Sequence, residues 1–191
     1  MRSITRISLE LELLPLLSKL KVKRVLDVGS KDSPYKNKIS YKEYKRLDIS
    51  KESNPDYVAD LHNLNNLPRN YFDLVLATEV LEHLYNPEKA IDEIYKILRN
   101  GGICIATTRF FYHYHPDPKD YYRFTKDSLE YLFRKFKKVE IHSHGNWLQT
   151  LWQLFDVWKF GLIFKFFNPV IMRINYKNTR YPLGFIVYAE K

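Results

Sequence analysis

Short apolar runs alternate along this chain with segments whose apolar positions recur at helical spacing, and the alternation predicts most of its elements. Arg24 to Val28 reads as a short buried strand that breaks at Gly29 into a turn. Glu43 to Asp48 is a second strand, and Tyr57 to Asp60 a short third one. Phe72 to Thr78, FDLVLAT, is an apolar run bounded by polar residues, the mark of a strand covered on both faces. Asn86-Pro87 then offers an N-cap and a first-turn proline to a helix carrying Ile91, Ile94, Tyr95 and Leu98. Asn100-Gly101-Gly102 reads as its stop, with a glycine for the left-handed cap. Ile103 to Thr107 is the next buried strand. Thr125 opens a helix with Leu129, Leu132, Phe133 and Phe136 on one face; Val139 to His144 alternates, and Phe185 to Ala189 is the last strand, safely after Pro182. Leu9 to Leu20 reads as a leading helix in spite of Pro15, and the polar stretch Lys31 to Tyr41 holds at most a short one.

Strand and helix alternating in this way imply an α/β fold, a doubly wound, mostly parallel sheet. Between Trp147 and Tyr176 the pattern changes. Leu148, Leu151, Phe155, Trp158 and Leu162 form an apolar stripe at helical spacing, with Gln149, Gln153, Asp156 and Lys159 mostly opposite. Lys165, Arg173 and Lys177 follow, and Asn168-Pro169 makes a break. Residues 147–177 thus read as an aromatic, basic insertion of two short helices before the last strand. Such a segment suits a lid on the sheet edge, a face between two copies in a homo-oligomer, or a peripheral membrane contact.

Composition narrows the class. The chain has 191 residues, 45 % of them hydrophobic, enough for one domain (1–191) with a sizeable core and too many for global disorder. Cys104, the single cysteine, sits in an apolar run; this excludes a disulfide framework or a cysteine-based zinc site and fits a reducing compartment. The net charge of +9 favours acidic partners such as nucleic acid, phosphorylated substrates or an anionic membrane. The basic residues are spread rather than blocked, so the charge reads first as a lysine-rich surface. Glu10 and Glu12 interrupt the apolar N-terminal stretch, Pro15 follows, and no small-residue cleavage site appears, which argues against a signal peptide. No run reaches the roughly 18 apolar residues of a membrane span. A cytoplasmic protein is expected, peripheral at the membrane if 147–177 makes that contact.

The candidate chemistry begins at VLDVGSKDSPY, Val25 to Tyr35. A strand ending on Asp27 and a turn at Gly29, with a second strand ending on Asp48 about twenty residues on, is spacing that suits a nucleoside ligand in an open parallel sheet. The tight turn lets backbone N–H groups approach the ligand, and the second carboxylate can accept from ribose hydroxyls. Glu79 and His83 lie on the turn after the central strand, where the crevice of such a sheet forms. His83 serves there or merely caps the loop; both readings stand. His113, His115, Asp117, Asp120 and Arg123 invite a metal reading. His-Pro-Asp-Pro is nevertheless stiff and turn-rich, directly after a strand, so a substrate-facing loop is preferred and no metal is expected. Tyr112, Tyr114, Tyr121, Tyr122 and Phe124 would wall the pocket, and Arg123 either meets a substrate anion or pairs with Asp120.

In this order the features resemble the class I S-adenosylmethionine-dependent methyltransferases, over roughly Val22 to Phe136 and again at the last strand. The matching motifs are the LDVG turn (Leu26 to Gly29), Asp48 in RLDIS, VADL (Val58 to Leu61) and the long block Phe72 to Gly102, FDLVLATEVLEHLYNPEKAIDEIYKILRNGG. His115 to Thr125, HPDPKDYYRFT, resembles a branch associated with sugar, glycan or secondary-metabolite tailoring. The resemblance implies a Rossmann-like single domain with an antiparallel last strand, and S-adenosylmethionine as cofactor. It implies that the Gly29–Ser30 turn cradles the methionine end, with Asp27 near its amino group. Asp48 would bind the ribose, Asp60 and Leu61 would flank the adenine, and Thr78 and Glu79 would line the wall near the methyl group. The family's two further turn glycines are Lys31 and Ser33 here, from which a different loop shape, or a loop standing further from the ligand, is expected.

The reaction so implied is methyl transfer to an O or N nucleophile of a small-molecule, sugar or glycan-like acceptor. His115 is the first candidate for general base, since its unperturbed pKa suits neutral pH, with Asp120 and His83 as alternates. Tyr114, Tyr121, Tyr122 and Arg123 are the expected acceptor contacts. A nucleic-acid methyltransferase is disfavoured: Thr78-Glu79-Val80-Leu81 stands where base-nitrogen methyltransferases resemble one another in an Asn/Asp-Pro-Pro-aromatic turn. The remaining alternative is a non-catalytic protein with a degenerate cofactor turn that docks a membrane or partner through 147–177.

Overall fold

The strand Phe72–Thr78 (β4) is buried along its whole length, so both of its faces must be covered. In the computed structural model, which describes residues 2–29, 31–116, 118–156, 161–174 and 180–191, the sheet extends from it in both directions. On one side β4 pairs in parallel with Arg24–Val28 (β1), β1 with Glu43–Asp48 (β2), and β2 with the short edge strand Tyr57–Val58 (β3). On the other it pairs in parallel with Leu98–Arg109 (β5). Beyond β5 lie Gly184–Glu190 (β7) and then Lys138–His144 (β6), with β7 antiparallel to both neighbours. The order is β3-β2-β1-β4-β5-β7-β6. The expected α/β sheet, mostly parallel with an antiparallel last strand, is therefore present, and its order reverses between β1 and β4, the place where open sheets bind ligands.

Helices cover both faces. Ile4–Ser18 (α1) lays Leu9, Leu13 and Leu17 against Val25, Leu74, Leu76 and Ile105. This buried stripe outweighs the hydrogen bond that Pro15 removes from the helix. The helix starts before the expected Leu9 because the Ser3 hydroxyl accepts the Arg6 N–H at 3.3 Å and caps it. Pro87–Ile97 (α2) and Lys126–Leu132 (α3) cover the other face, where Ala90, Ile91, Ile94 and Leu129 meet Leu26, Val28, Val75 and Ala77. The Asn86 side chain caps α2 by accepting from Lys89 N–H at 3.1 Å, with Pro87 in the first turn. Thr125 and Ser128 form a reciprocal capping box on α3.

Of the boundaries that differ from the sequence reading, two bear on the site and its central strands. Strand β3 stops at Val58, so Asp60 lies in the turn beyond it. Helix α2 stops at Ile97 and β5 begins at once, with Leu98 opposite Phe72 and a register irregularity before Leu74. Gly101 and Gly102 thus belong to an irregular strand. A Cβ at Gly102 would lie 2.8 Å from the Arg99 carbonyl oxygen and 3.0 Å from that of Phe72, so close backbone approach, not a helix cap, demands the glycine there.

Trp147–Asp156 (α4) and Gly161–Arg173 (α5) fill the segment before β7 as two helices and pack against α1. Trp158, Lys159, Tyr176 and Lys177 lie outside the described residues. Helix α4 turns Gln149, Thr150 and Gln153 inward and leaves Leu151, Leu154 and Phe155 exposed. The Thr5 hydroxyl donates to Gln153 Oε1 at 2.5 Å, and Gln153 Nε2 donates to the Phe111 carbonyl at 3.1 Å. Trp152 Nε1 donates to Asn168 Oδ1 at 2.9 Å, which ties the two helices together. Among the described residues no helix is long and apolar enough to cross a membrane.

Candidate active site at the carboxyl edge of the sheet

Strand β1 delivers the first part of the site. Gly29 stands at φ +64°, and a Cβ there would come within 2.8 Å of a Val80 methyl, so both its conformation and its neighbour require glycine. Its N–H donates to the Leu47 carbonyl at 2.8 Å, which clamps the turn to β2, while the residue itself stays exposed. Lys31 and Ser33 also adopt left-handed conformations, at φ 47° and 49°. These two positions thus hold positive φ without being glycine. Ser30 lies outside the described residues.

Asp27 and Asp48 reach the same edge in different states. Asp27 is fully buried and its Oδ2 accepts the Tyr44 hydroxyl at 2.5 Å. Burial, and then the Asp27 charge, push the Tyr44 phenol far above its usual range. Asp48 is only half-buried; its Oδ1 accepts the Ser50 N–H at 2.9 Å and so shapes the turn after β2. Asp60 accepts both the backbone N–H and Nδ1 of His62 on one oxygen, at 2.9 and 2.5 Å. Burial works against the Asp60 charge, but these His62 contacts lower its pKa overall. The His62 ring in turn stacks on Tyr85 at 3.9 Å, and Leu61 is buried in the core.

The ends of β4 and β5 form the second part. Thr78 is buried, and Glu79 follows it at φ 56°. The Glu79 N–H donates to the Thr107 carbonyl at 3.0 Å, the Thr107 hydroxyl donates to Glu79 Oε1 at 3.2 Å, and Arg109 Nε donates to Oε2. The Arg109 guanidinium lies 3.7 Å above the Tyr112 ring. Three residues on, Glu82 is wholly buried, with the Thr108 hydroxyl donating to Oε2 at 3.1 Å. Burial first, and the Glu79 charge second, raise its carboxyl well above the ordinary range.

The loop after β5 closes over this edge. Tyr121 N–H donates to the Glu82 carbonyl at 2.8 Å, and His83 Nδ1 donates to the Lys119 carbonyl. The His83 and His115 rings meet edge to face at 5.0 Å. Asp120 receives Arg123 through both guanidinium nitrogens, at 2.5 and 2.7 Å, and accepts the His115 N–H at 3.0 Å. The Arg123 bonds, outweighing burial, hold the Asp120 carboxyl far below its usual range. His115 is half-buried, and burial together with the Arg109 charge lowers its pKa, which keeps the imidazole neutral near pH 7. Tyr122 is exposed and donates to the Tyr85 carbonyl at 3.1 Å, while Tyr114 and Tyr121 are exposed at the mouth. Asp117 lies outside the described residues.

The fold therefore brings Gly29 and Asp48 together at one end of the edge and His83, His115, Asp120 and Arg123 at the other. Sequence reasoning missed Glu82, Thr108 and Arg109. A signal for Glu82 was present: it is an acid set between Leu81 and a histidine in an otherwise apolar turn after the central strand.

Residues 26–106 match the family model described as a methyltransferase domain. No curated protein matches the chain. Among solved structures, an S-adenosylmethionine-dependent methyltransferase of Archaeoglobus fulgidus is 17 % identical, with a TM-score of 0.61 over 99 % of this chain and 95 % of that one. A phosphoethanolamine N-methyltransferase 2 of Haemonchus contortus, in complex with phosphomonomethylethanolamine and S-adenosylhomocysteine, is 15 % identical. Its TM-score is 0.62, over 95 % of this chain and 51 % of that one. The YcgJ protein of Bacillus subtilis is 12 % identical, with a TM-score of 0.57 over 97 % and 98 % of the two chains. The matched segment runs from β1 into β5, through the glycine turn and the Glu79–His83 turn, and it is similar to a methyltransferase domain, while the sheet order around it is the fold shared with these solved structures.

Proposed function

We propose that the protein methylates an O or N nucleophile on a small-molecule, sugar or glycan-like acceptor, with S-adenosylmethionine bound at the tips of β1, β2 and β4. The observation that carries this reading is the exposed, left-handed turn at Gly29 beside the half-buried Asp48, at the point where the strand order reverses. These residues fit the cofactor: a glycine backbone open to approach and a carboxylate able to accept from ribose hydroxyls. The Gly29–Ser30 turn would hold the methionine end, with Asp27 bracing it from beneath. Asp60 and Leu61 would border the adenine, and Thr78 and Glu79 the reacting end. Bound there, the cofactor supplies an electrophilic methyl group.

On this reading the acceptor enters beside His115 and His83, between the tyrosines of the β5 loop. Holding the nucleophile in line with the methyl carbon can contribute about 7–11 kcal/mol. Where the acceptor must lose a proton, that task falls to the cluster of Glu82, His83 and His115. Asp120 is committed to Arg123 and to the His115 backbone, so it positions the loop. Titration calorimetry with S-adenosylhomocysteine tests the reading. Micromolar binding is expected; no binding at millimolar ligand overturns it.

A second reading concerns attachment. The exposed Leu151, Leu154 and Phe155 of α4 and Phe166, Phe167 and Val170 of α5, with Lys165 and Arg173 nearby, support a peripheral contact with an anionic membrane. Flotation with vesicles containing anionic lipid tests this, and protein that stays at the bottom of the gradient in low salt refutes it.

A further inference from the structure

Glu82 carries a buried carboxylate oxygen, Oε1, that has no hydrogen-bond partner among the described residues. Native interiors leave few such atoms unpaired, and each calls for a partner. Buried Nδ1 of His115 also makes no hydrogen bond, although Asp120 Oδ2 lies 3.3 Å away. His83 Nδ1 faces the Lys119 carbonyl. A carbonyl can only accept, so Nδ1 is the donor there and Nε2 is the ring nitrogen left to ligate. One carboxylate oxygen of Glu82 and one ring nitrogen each of His83 and His115 lie within 4.8 Å of one another. Donors bound to a first-row cation at about 2.0–2.2 Å stand roughly 3–3.5 Å apart, so a small closure completes the set.

The surroundings hold these donors in place. The Glu82 carbonyl accepts Tyr121 N–H, Asp120 accepts the His115 N–H, and Arg123 locks Asp120. The two nearby guanidiniums are neutralised, Arg109 by Glu79 and Arg123 by Asp120, so neither repels an incoming cation at full charge.

We propose that Glu82, His83 and His115 form a site for a first-row divalent cation, Zn²⁺ or Mn²⁺ by donor type, at the acceptor end of the crevice. One carboxylate and two imidazoles suit such ions and leave positions open. The sequence leads to the expectation of no metal, and the metal reading it sets aside pairs His113 with His115; His113 is absent from the three-donor cluster found among the described residues. The site's purpose rests on the methyl-transfer reading: with the cation bound, Glu82, His83 and His115 serve as ligands rather than as bases, and an acceptor hydroxyl in an open position is oriented and its pKa lowered, so that its proton passes to solvent, its oxygen takes the methyl group and S-adenosylhomocysteine leaves.

The test uses untagged, metal-free protein titrated with ZnCl₂ and with MnCl₂, followed by calorimetry, elemental analysis after dialysis and thermal denaturation. One equivalent per chain at micromolar affinity and a raised Tm are expected. Glu82→Gln, His83→Ala and His115→Ala should each weaken binding 10–100-fold, whereas His113→Ala and His142→Ala should not. No binding of either ion by the wild type overturns the proposal, as does equal binding by the Glu82 and His115 variants. Titration of the same proteins with S-adenosylhomocysteine separates the two readings. Cofactor binding without metal binding removes the cation site and leaves methyl transfer standing, while metal binding without cofactor binding does the reverse. Should Glu82→Gln fail to fold, His83→Ala and His115→Ala, both at half-buried positions, still decide the matter.

Discussion

The Tyr44 hydroxyl donates to Asp27 Oδ2 at 2.5 Å, from β2 to β1, on the α1 face of the sheet beneath the Gly29 turn. Asp27 is fully buried, so this bond contributes to the satisfaction of a charge that water does not reach. Tyr44→Phe removes the donor and leaves the carboxylate short of a partner, at a cost of about 1–3 kcal/mol. A fall in Tm of about 3–10 °C is expected by differential scanning calorimetry. An unchanged Tm would show that Asp27 is not braced through Tyr44.

Asp48 should behave in the opposite way. Its hydrogen bond to the Ser50 N–H supports only the local turn, and the side chain is half-buried. Asp48→Ala is expected to weaken S-adenosylhomocysteine binding about 10–100-fold, the value of hydrogen bonds to a charged group, with little change in Tm. Equal affinity in wild type and variant would take the ribose role away from Asp48.

Lys31 stores strain. An L-residue held at left-handed φ pays about 1–2 kcal/mol, and glycine's entropic cost is about 0.5–1 kcal/mol. Lys31 stands at φ 47°, and its carbonyl accepts from Arg46 at 3.1 Å, a bond that a glycine would keep. Lys31→Gly should therefore leave Tm unchanged or raise it by up to about 5 °C. A drop of several degrees would mean that the lysine side chain holds the turn.

His144 gives the fold a pH dependence. It is 2 % exposed, its Nδ1 lies 3.2 Å from the Ser8 hydroxyl, and burial pushes its pKa from 6.5 down to about 4. The unfolded chain takes the proton near pH 6.5 and the folded chain only near pH 4, so between these values the unfolded state binds more protons. Stability is thus full above about pH 6.5 and falls as the pH drops, by about 2 kcal/mol at pH 5. Urea midpoints at pH 7.5 and 5.0 measure this. The drop should shrink in His144→Gln, and an identical drop in both proteins would assign the effect to other groups.

Strands β1 and β4 were legible to the residue, because runs buried on both faces announce themselves by apolarity alone, whereas β2, half-buried apart from Leu47, was legible only from its place between the Gly29 turn and Asp48. Gly101-Gly102 misled because a glycine pair after a helical stripe suits either a cap or a close strand approach, and only the position of the Phe72 carbonyl decides between them. The acids at the β1 and β2 tips were legible from their spacing, but their division of labour was not, since Tyr44 reaches Asp27 through the register of two strands. Glu82 was hidden for a similar reason: its burial depends on Thr108 and on a loop nearly forty residues further along the chain, which no local pattern encodes.

Helix α4 was legible as an amphipathic helix, but not as one turned inside out. Periodicity fixes that two faces differ and leaves open which is buried. Here Gln153 is 2 % exposed and bonded to Thr5 and Phe111, whereas Leu154 next to it is 50 % exposed. Gln153→Ala breaks two hydrogen bonds in the interior and should cost about 1–3 kcal/mol, a Tm drop of about 3–10 °C. Leu154→Ser should stay within about 0.5 kcal/mol of wild type. Replacing Leu151 and Leu154 together by serine should also weaken flotation with anionic vesicles while Tm holds. If Leu154→Ser proved the more damaging of the two single changes, α4 would have to face the other way, and the apolar surface proposed for membrane contact would be part of the core.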